Sequence, residues 1–181
     1  MTYKAIKGGD KLEARLRELA ANLGKSANLT VGWQDGTTYP NSGMSVATVA
    51  AIQEFGAPSA GIPPRPFVRR TIAENSDAWG DEVGAALKQT GYDATRAMEL
   101  VGMVIEGELA ESIFEVTDPP LSPVTLMLRE MRVGRVNDPV TFGMLKEARA
   151  RVAAGETAEG VSTKPLVDSG LLSNSITSVV K

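Results

Sequence analysis

Apolar residues recur at helical spacing from Leu12 through Leu16, Leu19, Ala20 and Leu23, which predicts an amphipathic helix with Asp10 as N-cap and Glu13 three positions on. Gly24 is its expected stop. In ANLTVGWQDG the period changes to two, with Leu29, Val31 and Trp33 alternating with polar neighbours before Asp35-Gly36, so a half-buried strand running into a turn is expected. The polar run 37–43 reads as a loop or ragged hairpin. Ser45 can cap a short helix carrying Val46, Val49, Ala50 and Ile52 that ends at Phe55-Gly56, where glycine suits a left-handed cap.

From Phe67 a long helical pattern places Val68, Ile72, Trp79, Val83 and Leu87 on one face and breaks near Thr90-Gly91. A second runs from about Asp93 to Phe114 through Ala97, Val101, Ile105, Leu109 and Ile113. Gly84, Gly102 and Gly107 lie inside these patterns, where each costs about 1 kcal/mol relative to alanine, so close helix–helix approaches are expected there. Asp118-Pro119-Pro120 terminates the second helix, because proline lacks the amide donor and clashes with the preceding turn.

Beyond it, 121–164 reads as less orderly, with short apolar clusters at Leu126, Met127, Leu128 and Met131 and a helix from about Asp138 or Thr141 to Ala154, ended by Gly155. Asp138-Pro139 is a candidate N-cap and N1 pair for it. GETAEGVSTK is polar and glycine-rich, hence a mobile linker by composition. The terminal SITSVVK alternates and favours β-branched residues, so a last strand should close the sheet. The pattern as a whole predicts an α+β fold: a small antiparallel sheet packed against long helices, with an extended excursion between the last long helix and the C-terminal strand. One domain over 1–181 is expected, with 116–164 as an inserted arm or loop region.

Composition narrows the chemistry. The 181 residues are 43% hydrophobic, enough for one core, and contain neither histidine nor cysteine. Those absences remove Ser-His-Asp and Cys-His nucleophile systems, thiol redox chemistry and nearly every zinc, haem or iron–sulfur site. No cofactor and no metal site is therefore expected, and what remains for catalysis is carboxylate, lysine, tyrosine or serine chemistry. The start, MTYKAIKGGDKLEARL, turns charged without an apolar segment, and no long apolar run follows, so neither a signal peptide nor a membrane span is expected. With no cysteine, a reducing cytoplasmic origin fits. The net charge of −3 supplies no global positive field for nucleic acid.

What remains are local clusters. Glu106, Glu108 and Glu111, or Asp81 and Glu82, are carboxylate groupings of the kind acid–base chemistry uses, although on a helix they also read as a solvated face. Arg65, Arg69 and Arg70 form the strongest basic cluster, suited to phosphate or to pairing with carboxylates across a subunit boundary. Trp33, Trp79, Phe55 and Phe67 are scattered among elements and lack basic interleaving, as core or interface anchors do. No glycine-rich phosphate loop follows a strand.

Two stretches carry a more specific pattern. AIQEFG is followed, after a short spacer, by IPPRPFVRR at the head of a helix, and much later by PLVDSGLLSNSIT. In this order they resemble the tail-completion or neck proteins of tailed bacteriophages, the virion-morphogenesis and head–tail joining group, in which EFG then IPxRPF and a separate PLxDTGxLxxSI recur. The match covers Glu54-Phe55-Gly56, Ile62 to Phe67 and Pro165 to Ile176, about thirty residues, with serine at Ser169 where threonine is commoner.

The resemblance implies a small α+β subunit of a homo-oligomeric ring, commonly a hexamer, in the virion neck. It would be assembled in the host cytoplasm, between the head–tail connector and the tail tube or tail terminator, with DNA passing transiently through the lumen. Its interface residues would be Phe55, Gly56, Ile62, Pro64, Arg65, Pro66, Phe67, Arg69, Arg70, Asp168, Ser169, Gly170 and Leu171. Within that frame IPPRPF is a stiffened strap, Phe67 fills a pocket at the head of the long helix, and Arg65 pairs with a carboxylate of a neighbour. Asp168-Ser169-Gly170 is a tight turn, the aspartate bonding backbone amides and the glycine supplying positive φ. Two other classes stay open: a small hydrolase using a carboxylate pair, and a regulatory module binding DNA through the three arginines.

Overall fold

A computed structural model describes residues 9–23 and 27–181. Among them are seven α-helices and two strands, in the order α1 (Gly9–Leu23), β1 (Leu29–Trp33), α2 (Val46–Phe55), α3 (Phe67–Gln89), α4 (Ala94–Glu115), α5 (Pro123–Met131), α6 (Phe142–Ala153), α7 (Leu171–Asn174) and β2 (Ile176–Val180). The fold is α+β, as the patterning requires. Gly24 lies outside the described residues.

The frame is the antiparallel hairpin of α3 and α4. Asp93 caps α4 by accepting a hydrogen bond from the Arg96 amide, and the Trp79 indole donates across to Glu108 at 2.9 Å. Strands β1 and β2 pair antiparallel, Leu29 opposite Val180 and Trp33 opposite Ile176, so the terminal strand closes the sheet from the far end of the chain. The sheet lies on α4. Its closest approach is at Gly102, where a Cβ would come within 2.6 Å of the Ser178 hydroxyl and 3.0 Å of Leu29. Gly84 and Gly107 have nothing within 4 Å of such a Cβ, so the close-approach expectation holds at one glycine of the three, and there the neighbour is the sheet rather than a helix.

The main core gathers Val46 and Ala50 of α2, Phe67 of α3, Leu109 and Ile113 of α4, and Leu166, Leu172 and Ile176 from the C-terminal segment. A smaller cluster of Ala86, Ala97 and Val101 fills the turn end of the hairpin. No helix among the described residues is long and apolar enough to cross a membrane.

The excursion corrects two expectations. Residues 123–131, expected to be less orderly, form α5, with the Ser122 hydroxyl capping the Thr125 amide and Pro123 at the first helical position. Helix α6 begins at Phe142 with Thr141 as its N-cap, accepting from the Met144 amide, the second of the two starts the sequence offered, and not at the Asp138-Pro139 pair. Nor is 155–164 a free linker. Arg129 donates to the carbonyls of Ser162, Lys164 and Pro165, and the Glu130 carboxylate accepts from the Glu159 amide at 2.8 Å, which tacks this stretch onto α5.

Candidate functional site

Helix α2 ends in Gln53, Glu54 and Phe55, and Gly56 turns the chain out with φ 78° and ψ 171°, positive in φ but extended in ψ rather than a left-handed helical cap. Only glycine fits. A Cβ there would stand 2.8 Å from the Pro64 nitrogen and 3.0 Å from the Ile62 carbonyl oxygen. Pro58–Ala60 make a single 3₁₀ turn closed by a bridge between Ala57 and Ile62, and the prolines then carry the chain extended into α3.

Pro66 at the head of α3 has no side chain to cap the helix, and Glu54 does so from α2. Its carboxylate is 3% exposed and accepts from the Val68 amide at 2.8 Å, the Arg69 amide at 3.3 Å and the Arg69 Nε at 2.8 Å. Arg69 also donates to the Glu54 carbonyl, and its guanidinium lies 5.3 Å from the centre of the exposed Phe55 ring, a cation–π contact. Phe67, expected as an interface residue, is fully buried in the chain's own core, its ring set edge-to-face with that of Trp33.

Arg65 departs from expectation. It is 5% exposed and its partners are intrachain: Nε and Nη2 donate to the Pro119 carbonyl at 3.1 and 2.9 Å, and Nη1 to the Gln53 side chain at 3.1 Å. It staples the strap to the segment leaving α4, and among the described residues no carboxylate forms an ion pair with it. Arg70 goes elsewhere again, to Glu74 and Glu115 at 2.9 and 2.6 Å. The three arginines that stand together in sequence therefore bind three separate sets of acceptors. Of the carboxylates singled out as candidates, Glu108 holds Trp79 and, with Glu111, lines a small recess between α3 and α4 that Glu74 and Glu115 also border.

The second motif bends at Gly170, with φ 74°, while the Ser169 hydroxyl accepts from the Leu171 amide and the Trp33 indole donates to the Leu172 carbonyl at 2.7 Å. Among the described residues no backbone amide donates to Asp168, contrary to expectation. It faces α5, 3.5 Å from Arg129 Nε and 3.8 Å from Arg132 Nη2. Two cations one helical turn apart draw the carboxylate away from its own turn.

The two motifs, a hundred residues apart in sequence, thus border one cleft of about 580 Å³, which Gln53 and Arg65 line from the strap side, Asp168 and Leu172 from the bend, and Arg129 and Arg132 from α5. Burial lowers the Arg129 and Arg65 guanidinium pKa values from their ordinary range; at Arg129 the charge of Asp168 opposes the shift while Arg132 and Arg65 add to it. The Tyr39 phenol, also in the cleft, is raised by burial first and by Asp168 second. Sequence reasoning missed Arg129, Arg132 and the capping role of Glu54. The signal for the first two was present in SPVTLMLREMR, whose Ser-Pro start and apolar spacing make a helix with both arginines on one side.

No protein-family model matches the chain, and no curated protein and no solved structure shows significant similarity to it.

Proposed function

We propose that the chain is a structural subunit that works by self-association, as a homo-oligomeric ring in the neck of a tailed bacteriophage, between the head connector and the tail, with DNA passing through its lumen. The observation that carries the reading is apolar surface left exposed among the described residues. Helix α1 is amphipathic, yet Leu12 and Leu16 are 63% and 56% exposed, and Met103 on the outer side of α4 is 66% exposed. Each such side chain, if buried, contributes about 1.5–3 kcal/mol, so a surface that leaves several in water is stabilised when a neighbour covers them.

The motifs support the same reading. The strap is fixed at both ends, by Gly56 and Glu54 on one side and Arg65 on the other, which leaves Phe55, Pro64, Pro66 and Arg69 presented on a rigid base. Docking such a segment loses little conformational entropy. In a closed ring each subunit offers one surface to the next and receives another, a heterologous contact that terminates only on closure. Activity in this sense is geometry, with no bond made or broken.

Negative-stain imaging of the purified protein, and of virions labelled at the chain, tests this. Closed rings and label at the head–tail junction are expected. Rings absent at every concentration, together with label elsewhere in the particle, would overturn it.

A further inference from the structure

Among the described residues, the cleft between the strap, α5 and the Asp168 bend is lined by three guanidiniums and one carboxylate, with the charge of Asp118 acting on Arg65 as well. Arg65, Arg129 and Arg132 all line it, and Asp168 is the carboxylate that borders it, at separations of 3.5 and 3.8 Å. Both exceed the roughly 2.7–2.9 Å of a good charge-assisted hydrogen bond. The Arg129 and Arg132 side chains are only 8% and 10% exposed. Arg132 is the least satisfied: among the described residues its hydrogen bond is one from Nη2 to the Val136 carbonyl, and its Nε is buried with no acceptor. A recessed guanidinium in this condition is stabilised when a further anion enters, and a cleft with walls of one sign focuses the potential that draws one.

We propose that this cleft is a socket for a carboxylate presented on a protein segment, an aspartate or glutamate side chain flanked by apolar residues, received by Arg132, while Arg129, whose guanidinium already donates to the Ser162, Lys164 and Pro165 carbonyls, adds its charge beside it. The rest of the lining selects that chemistry. Val49, Leu121, Leu128, Val140 and Leu166 give the cleft apolar walls, which suit the neighbours of an acidic side chain in a peptide. A nucleic-acid duplex presents its phosphates on a broad convex surface and binds exposed lysines and arginines, whereas these guanidiniums are withdrawn from the surface and the chain as a whole is acidic. The inference does not rest on the ring reading, since a monomer would hold the same socket.

The test is calorimetric titration of the full-length protein, at fixed ionic strength, with acetyl-Leu-Glu-Leu-amide, its glutamine counterpart, inorganic phosphate and a short DNA duplex. The glutamate peptide is expected to bind at least tenfold more tightly than the glutamine peptide and more tightly than phosphate or duplex, and Arg132→Gln is expected to abolish that preference. Equal binding of the two peptides, binding of neither, or tighter binding of phosphate or duplex would each overturn the proposal. The peptide comparison is made on the unaltered protein, so it decides the matter even where Arg132→Gln fails to fold.

Discussion

Glu54 accepts hydrogen bonds from both the backbone amide and the guanidinium of Arg69, fifteen positions on, at 3.3 and 2.8 Å. The last turn of α2 thereby supplies the cap that Pro66 cannot, and the strap is held shut behind it. Glu54→Ala leaves two first-turn amides of α3 without that acceptor inside the protein, and a loss of about 2 kcal/mol is expected by denaturant titration. Arg69→Ala should cost less than half as much, because the amide bonds survive and the guanidinium is largely exposed. Equal losses would contradict the capping role.

Gly56→Ala meets two obstacles, a positive φ and a backbone nitrogen at 2.8 Å. A destabilisation of about 2 kcal/mol or more is expected, since the obstruction is main chain that cannot rotate away. A thermal midpoint equal to that of the unaltered protein would contradict the described turn.

The helical glycines should part company. Gly102→Ala forces β2 off α4 and is expected to destabilise by about 1–3 kcal/mol. Gly84→Ala and Gly107→Ala enter open space and should each stabilise by roughly 0.5–1 kcal/mol through helix propensity. The opposite order in parallel melting curves would refute the packing of the sheet on α4.

That divergence marks where sequence alone runs out. Periodicity located α1, β1, α2, α3, α4 and β2, because each has one apolar face and a visible cap or stop in its sequence. It could not say which interior glycine meets a neighbour, since that depends on where the two distant strands of the sheet land. The strap was legible as rigid, and Phe67 as buried. Arg65 was not legible as a staple, because its acceptor is the carbonyl of Pro119, which carries no side-chain signature. Asp168 was read as serving its own turn for the same reason: its partners lie on α5, a helix whose Ser-Pro start went unused.

Glu130 ties α5 to both α6 and the chain beyond it. Its carboxyl is held below the ordinary value of 4.5 by the Glu159 amide first and Arg151 next. A carboxyl depressed in the folded state contributes stability that is fully present above its unfolded value and lost as pH falls through the folded one. Thermal midpoints should therefore fall on acidification below about 4.5 in the unaltered protein. Glu130→Gln should start lower at neutral pH and fall less steeply; an unchanged acid slope would contradict the link.

In the proposed ring the exposed leucines of α1 are covered by another copy. Light-scattering mass measured across a concentration series tests it most directly. A mass that is a multiple of the 19.1 kDa single chain, six for a hexamer, is expected, collapsing toward one chain in the Leu12→Asp, Leu16→Asp double variant. A mass of one chain at every concentration, or a variant that assembles as the unaltered protein does, would contradict it.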